Sequence, residues 1–172
     1  LKHRAYDLDL NNSAFVNDSP SVTVPVYSID GGLFLERDTH WLGDLTQTLE
    51  PRLYYVNAAS KDQSALPDFD TSEMTVAYDR LFADNRFGGG DRIADEQRLP
   101  VALTSRFISK KTGQERLKIS LAQSFYYADR LVKLPGSPAE LSQSPIALDF
   151  TARFNANWRI TRDFIYYKDK SM

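Results

Sequence analysis

The stretch IALDFTARFNANWRI, residues 146–160, alternates two kinds of side chain. Ile146, Leu148, Phe150, Ala152, Phe154, Ala156, Trp158 and Ile160 share one parity. Ala147, Asp149, Thr151, Arg153, Asn155, Asn157 and Arg159 share the other. An extended chain sends successive side chains to opposite sides, so a period of two reads as a β-strand with one apolar and one polar face. Read as one strand it would extend roughly 46 Å at ~3.3 Å per residue, enough to cross a bilayer with its ends.

The same pattern recurs along the chain. In residues 115–128, Leu117, Ile119, Leu121, Phe125 and Tyr127 oppose Arg116, Lys118, Ser120, Ala122, Ser124 and Tyr126, with Gln123 breaking the apolar face. In 97–109, Leu99, Val101, Leu103 and Phe107 oppose Arg98, Thr104 and Arg106. In 45–56, Leu49, Pro51, Leu53 and Tyr55 oppose Thr48, Glu50, Arg52 and Tyr54. Weaker strands are expected at 4–10, 22–36 and 164–168. About seven strands make the expected fold all-β: an antiparallel up-and-down set of transmembrane barrel strands, forming part of a barrel.

Connections alternate in length. Residues 110–114 and 161–163 read as tight turns and 37–44 as a short to medium link, whereas 11–21, 57–95 and 129–145 are long. Short turns on one side and long loops on the other are the habit of membrane barrels, the short ones facing the periplasm. Aromatic residues near strand ends, Tyr54, Tyr55, Tyr126, Tyr127, Trp158, Tyr166 and Tyr167, suit an interfacial girdle. Arg and Lys at a bilayer midplane cost ~2–4 kcal/mol on the lipid side. Glu50, Arg52, Arg98, Arg106, Arg116, Lys118, Asp149, Arg153 and Arg159 are therefore expected to face the lumen.

Segment 57–95 has its own pattern. Met74, Ala77, Tyr78, Leu81 and Phe82 follow helical spacing, with Thr71 or Ser72 as cap and Glu73 in the first turn. A short helix near 73–83 is expected, ended by Gly88-Gly89-Gly90. Its apolar stripe must be buried against something.

Composition narrows the function classes. The net charge of -2 and the scattered Lys and Arg give no footprint for nucleic acid. With no cysteine there is no disulfide or thiolate metal site. No apolar run reaches the ~18 residues of a membrane helix, which leaves barrels open. Residues 1–10 lack the charged and apolar regions of a signal peptide. The glycine run at 88–90 lacks the Gly-Lys-Ser/Thr of a phosphate loop. Asp68, Asp70 and Glu73 match no calcium loop, and His3 and His40 sit in no metal or nucleophile pattern. No catalytic residue, cofactor or metal is expected.

Residues 47–56, QTLEPRLYYV, begin an ordered series. Asp62-Gln63, Leu66-Pro67, Phe69-Asp70-Thr71-Ser72, Leu81 to Phe87, Gly90-Asp91-Arg92-Ile93 and Leu103 to Phe107 follow, then Gly113 to Gln123, with Ser28 to Phe34 upstream. This series, over roughly 25–160, resembles the LptD family of lipopolysaccharide-assembly proteins, also called organic solvent tolerance proteins. The resemblance implies an internal stretch of a large C-terminal outer-membrane barrel in a Gram-negative bacterium. It implies a periplasmic jellyroll elsewhere, a lumen plugged by an LptE-like lipoprotein, periplasmic bridge proteins, outer-membrane lipid and lipopolysaccharide as partners. The family's cysteines and periplasmic domain do not lie here, and 164–172 match nothing in the series. On this reading Tyr78, Leu81, Phe82 and Phe87 are expected to touch the plug or another lumenal loop. Arg80, Asp84, Arg86, Asp91 and Arg92 are expected to hold the loop by ion pairs. The alternatives are a small soluble lipocalin-like barrel with an apolar ligand, or a fragment of a general diffusion porin.

Overall fold

The computed structural model describes residues 1–9, 18–40, 43–137 and 142–168. The expected strand end at Leu10, the middle of the link at 37–44 and part of the connection at 129–145 lie outside these residues.

Alternation becomes one antiparallel sheet. Its strands are β3 (Val26–Gly32), β4 (Leu35–Thr39), β5 (Leu45–Ala58), β8 (Glu96–Ser109), β9 (Glu115–Tyr126), β10 (Ile146–Arg153) and β11 (Arg159–Tyr166). Across the sheet the order is β11-β10-β9-β8-β5-β3, with β4 on the same edge of β5 as β3. From β5 onward each strand pairs with its chain neighbours in the sheet, and β3 and β4 follow one another along the free edge of β5, so the topology is up-and-down and the sheet is open. Two short pairs stand apart: β1 (Lys2–Ala5) with β2 (Ser21–Val24), and β6 (Ser72–Glu73) with β7 (Phe87–Gly88).

Register lines up the two faces. On one, Pro51, Leu103, Leu121, Leu148 and Phe164 form a single rung across five strands. On the other, Glu50, Thr104, Ser120, Asp149 and Asp163 form the adjacent rung. The polar face is the covered one: Thr48, Ser120 and Ser124 are 0% exposed, whereas Leu53 on the apolar face is 57% exposed. A soluble sheet has the opposite arrangement. A lipocalin-like barrel, which buries its apolar face inside, is therefore not what these residues build.

The stretch 146–160 is two strands and a turn, not one long strand. β10 ends at Arg153 and β11 starts at Arg159. Asn155 Oδ1 accepts the backbone N–H of Asn157 and of Trp158, and Phe154 N–H donates to Trp158 O. This is an Asx-type reversal, which asparagine favours. The turn expected at 161–163 is consequently mid-strand, with Thr161 opposite Thr151 and Asp163 opposite Asp149. The turn at 110–114 forms as expected, with Gly113 at φ +68°. Lys110 N–H donates to Asp44 O, which places Asp44 at the same end of the sheet. The connections 59–95 and 127–145 emerge at the other end.

Replacing Asn155 with Ala in the full-length parent protein removes two turn hydrogen bonds. We expect about 1 kcal/mol of lost stability, read as a lower urea midpoint in detergent. An unchanged midpoint would argue for a continuous strand through 154–158.

Candidate functional site

The polar face is covered by the segment between β5 and β8. The helix expected near 73–83 does not form. Ser72 and Glu73 are extended and pair with Gly88 and Phe87, and Met74 N–H donates to Arg86 O. Only Asp79–Phe82 makes a 3-10 turn, without a side-chain cap. Helical spacing was present, but cross-strand pairing with 86–88 took the residues of the first turn. Glycine is required at the start of the return: Gly89 has φ +76°, and a Cβ there would lie 2.4 Å from Asp70 O.

Leu81 at the tip of the 3-10 turn rests on Ala102, Ala122 and Ala147, one from each of β8, β9 and β10, and is 4% exposed. Register places these alanines side by side, with Ile165 of β11 next in line. Three small residues in one rung make a hollow in the wall, and Val76, Tyr78 and Phe82 pack around it. Tyr78 OH lies 3.1 Å from Thr104 Oγ1, which donates to Ser120 Oγ at 2.9 Å. Phe82 packs at a tilt against Tyr54, ring centres 6.3 Å apart, and lies 4.2 Å under the Arg52 guanidinium. The four residues expected to meet a plug therefore divide. Leu81 and Phe87 are enclosed by their own chain, Phe87 at 3% exposed, and Tyr78 and Phe82 keep part of their surface open.

Arginines hold the cover in place. Arg98 of β8 donates through Nε to Glu96 at 3.0 Å and through its two terminal nitrogens to Leu81 O and Ala83 O. Those carbonyls end the 3-10 turn, where a cation suits the exposed C=O groups. Arg86 faces Asp95 at 3.2 Å, Glu96 at 3.5 Å and Glu73 at 4.0 Å, and also donates to Val132 O. Asp95 accepts the N–H of Leu131 and Val132, so the two long connections share one cluster. Beside it, a cavity of about 630 Å³ is lined by Glu73, Met74, Arg98, Tyr126 and Arg130 among others.

The expected ion-pair set is partly corrected. Arg86 pairs as described, and Asp84 pairs with Lys2 at 2.9 Å. Asp91 works through hydrogen bonds from Tyr6 OH at 2.7 Å and from Phe69 and Asp70 N–H. Arg92 donates to Leu66 O and Pro67 O. Arg80 is exposed and donates to Met74 Sδ at 3.0 Å. Glu73, Asp95, Glu96 and Tyr6 were missed. The sole hint was an acidic pair, Asp95-Glu96, directly before a strand.

The charges expected to face the lumen all lie on the loop-covered side. Arg52 pairs with Asp30, Arg106 with Glu50 at 3.1 Å and Glu115 at 2.6 Å, and Lys118 with Asp149 at 3.0 Å. Arg116 donates to Phe154 O at 2.8 Å. Arg153 lies opposite Arg159 in register. The acidic residues Asp68, Asp70 and Glu73 are engaged within the protein: Asp68 caps Thr71 N–H, Asp70 accepts Gly90 N–H, and Glu73 faces Arg86 and Arg130.

A family model described as LptD, LPS transport system D, matches residues 1–172. The chain belongs to the LptD family. It is similar to the LPS-assembly protein LptD of Pseudomonas syringae pv. syringae, at 44% identity over 87% of this chain and 18% of the relative. It is similar to the LptD of Alcanivorax borkumensis at 43% identity, over 98% of the chain and 22% of the relative. For Chromohalobacter salexigens LptD the figures are 38%, 100% and 23%. The chain thus spans about a fifth of the length of these LptD relatives. The LptD match also takes in 164–172, which the quoted motif series left unplaced.

Leu81→Ala in the full-length parent opens a cavity over the alanine rung. The expected cost is about 2–5 kcal/mol in loop docking, roughly a 30-fold or larger gain in the open state. Trypsin cleavage after exposed Arg80 should accelerate accordingly, and an unchanged rate would show that Leu81 does not hold the loop.

The Tyr6–Asp91 clasp sets a pH window. Burial raises the Asp91 carboxyl, but hydrogen bonds from Tyr6, Asp70 and Phe69 outweigh it and hold the carboxyl below its usual range. Burial, then the bond to Asp91, pushes Tyr6 up to about 12. Asp91 contributes stability above the ordinary carboxylate value near 4, lost as pH falls through its lower folded value. Tyr6 contributes below its ordinary value near 10, lost as pH rises through about 12. Asp91→Asn should speed exchange of the Phe69 and Asp70 amides roughly tenfold or more at neutral pH, measured by hydrogen exchange in the parent. Equal exchange in both proteins would remove the clasp.

Proposed function

We propose that this chain is a wall section and lumenal cover of an outer-membrane barrel that moves lipopolysaccharide to the cell surface. Inverted sheet polarity carries the reading. Leu49, Leu53, Leu103, Leu121, Ile160 and Phe164 are exposed on one face, while Thr48, Thr104, Ser120 and Arg98 are buried on the other. Only a hydrocarbon surround suits such an outer face. Strands of 12–14 residues in β5, β8 and β9 exceed the ~9–11 needed to cross it.

The substrate follows from family membership, since the relatives are named for LPS assembly. The remaining barrel strands are the natural partners of the sheet edges at β11 and at β3 and β4. The loop at 59–95 narrows the lumen from the long-loop end, and the half-open Tyr78 and Phe82 offer a lumenal plug an aromatic contact. Periplasmic bridge proteins would hand over the substrate at the short-turn end. The function calls for no catalytic group, cofactor or metal.

Depletion of the full-length parent should cut surface lipopolysaccharide sharply, as read by surface labelling. The wild-type protein should restore it. Leu121→Arg, which costs ~2–4 kcal/mol at the lipid midplane, should restore it poorly. Normal surface lipopolysaccharide after depletion would sink this reading.

A further inference from the structure

Cations on the covered face are matched by carboxylates almost throughout: Arg52 by Asp30, Arg86 by Asp95, Arg98 by Glu96, Arg106 by Glu50 and Glu115, Lys118 by Asp149. The exception is one rung at the short-turn end. Arg153 of β10 pairs in register with Arg159 of β11. Leu117 of β9 makes the last pair with β10, at Ala152; Arg116 follows at a β-bulge and donates to Phe154 O, the residue after Arg153. Among the described residues none of the three arginines has a carboxylate partner. The charged groups of the same face nearest them are already engaged, Glu115 with Arg106 and Lys118 with Asp149. Asp163 stands two rungs away, opposite Asp149.

Like charges directly opposite on a sheet destabilise it. Strand spacing of ~4.8 Å spreads three planar guanidinium forks over about 10 Å, a geometry suited to bidentate phosphate binding. Exposed Phe154 and Trp158 lie at the same end of the same strands, Trp158 at 71%. Aromatic side chains at strand ends mark the depth at which phosphate headgroups sit.

We propose that Arg116, Arg153 and Arg159 form a phosphate-binding row at the short-turn mouth, taking the phosphate groups of a phosphorylated glycolipid. The proposal rests on the transport reading above and adds where the anionic part of the cargo is held. The chemistry recognised is a phosphate dianion, from a glycolipid or from free phosphate.

The test uses the purified full-length parent in detergent and native mass spectrometry. Three probes are compared: a diphosphorylated glycolipid, the same lipid dephosphorylated, and inorganic phosphate. We expect the diphosphorylated lipid to bind, with affinity about tenfold or more lower in R116Q/R153Q/R159Q. R116K/R153K/R159K, which keeps the charge, should recover most of it, and the dephosphorylated lipid should not distinguish the proteins. Binding of inorganic phosphate alone, lost in the glutamine variant, would keep the phosphate site but give it to the free ion. Equal binding of both phosphate probes to wild type and glutamine variant would overturn the proposal. So would a photocrosslinker at Thr161 that captures only an acidic protein segment. Lost transport on depletion together with unaltered phosphate binding in the variant would reject this row alone. Unimpaired transport on depletion would reject the function reading instead.

Discussion

A sheet that turns its large apolar side chains outward cannot be held together by burying them against its own chain. Everything else here follows from that constraint. Leu53, Leu103 and Leu121 contribute stability only if a hydrocarbon medium receives them. Cohesion within the chain must come from the ladder of strand pairs and from the polar face. That face carries matched ion pairs and hydroxyl chains such as Tyr78–Thr104–Ser120.

The apolar patch at the middle of that face is therefore consequential. Ala102, Ala122 and Ala147 are small, and their common rung creates the hollow that takes Leu81. Arg98 then secures the turn through two carbonyls, and Glu96 offsets its buried charge. Arg86 and Asp95 bind this segment to the neighbouring connection at Leu131 and Val132. Truncating one partner of so enclosed a cluster would leave a charge uncompensated, which is why its members act as a unit. Docking of the cover and the shape of the covered face are thus the same event.

Much of the wall was legible from residue order. Alternation located β5, β8 and β9 to within two residues at each end, because polar and lipid-facing sides differ sharply at every step. Gly113 marked its turn because a positive φ favours glycine. Leu81 and Phe82 were identifiable as residues in need of a covering surface. That the surface is the chain's own alanine rung was not, since alanines at 102, 122 and 147 meet only once three strands are in register. Nor was Asp95 legible as the joint between two connections, since its partners lie 36 and 37 residues on.

Residue order alone establishes which side chains share a face, since that follows from the two-residue repeat of extended backbone. It also determined the family, through an ordered set of motifs. Where the chain reverses between β10 and β11 depends on strand pairing. The alternation runs unbroken through Phe154 to Trp158, because residues on both sides of this turn keep their parity. That 72–74 are extended rather than helical likewise depends on contacts distant in the chain. Helical spacing is a local preference worth tenths of a kcal/mol per residue, and pairing with 86–88 plus the seat for Leu81 outweighs it.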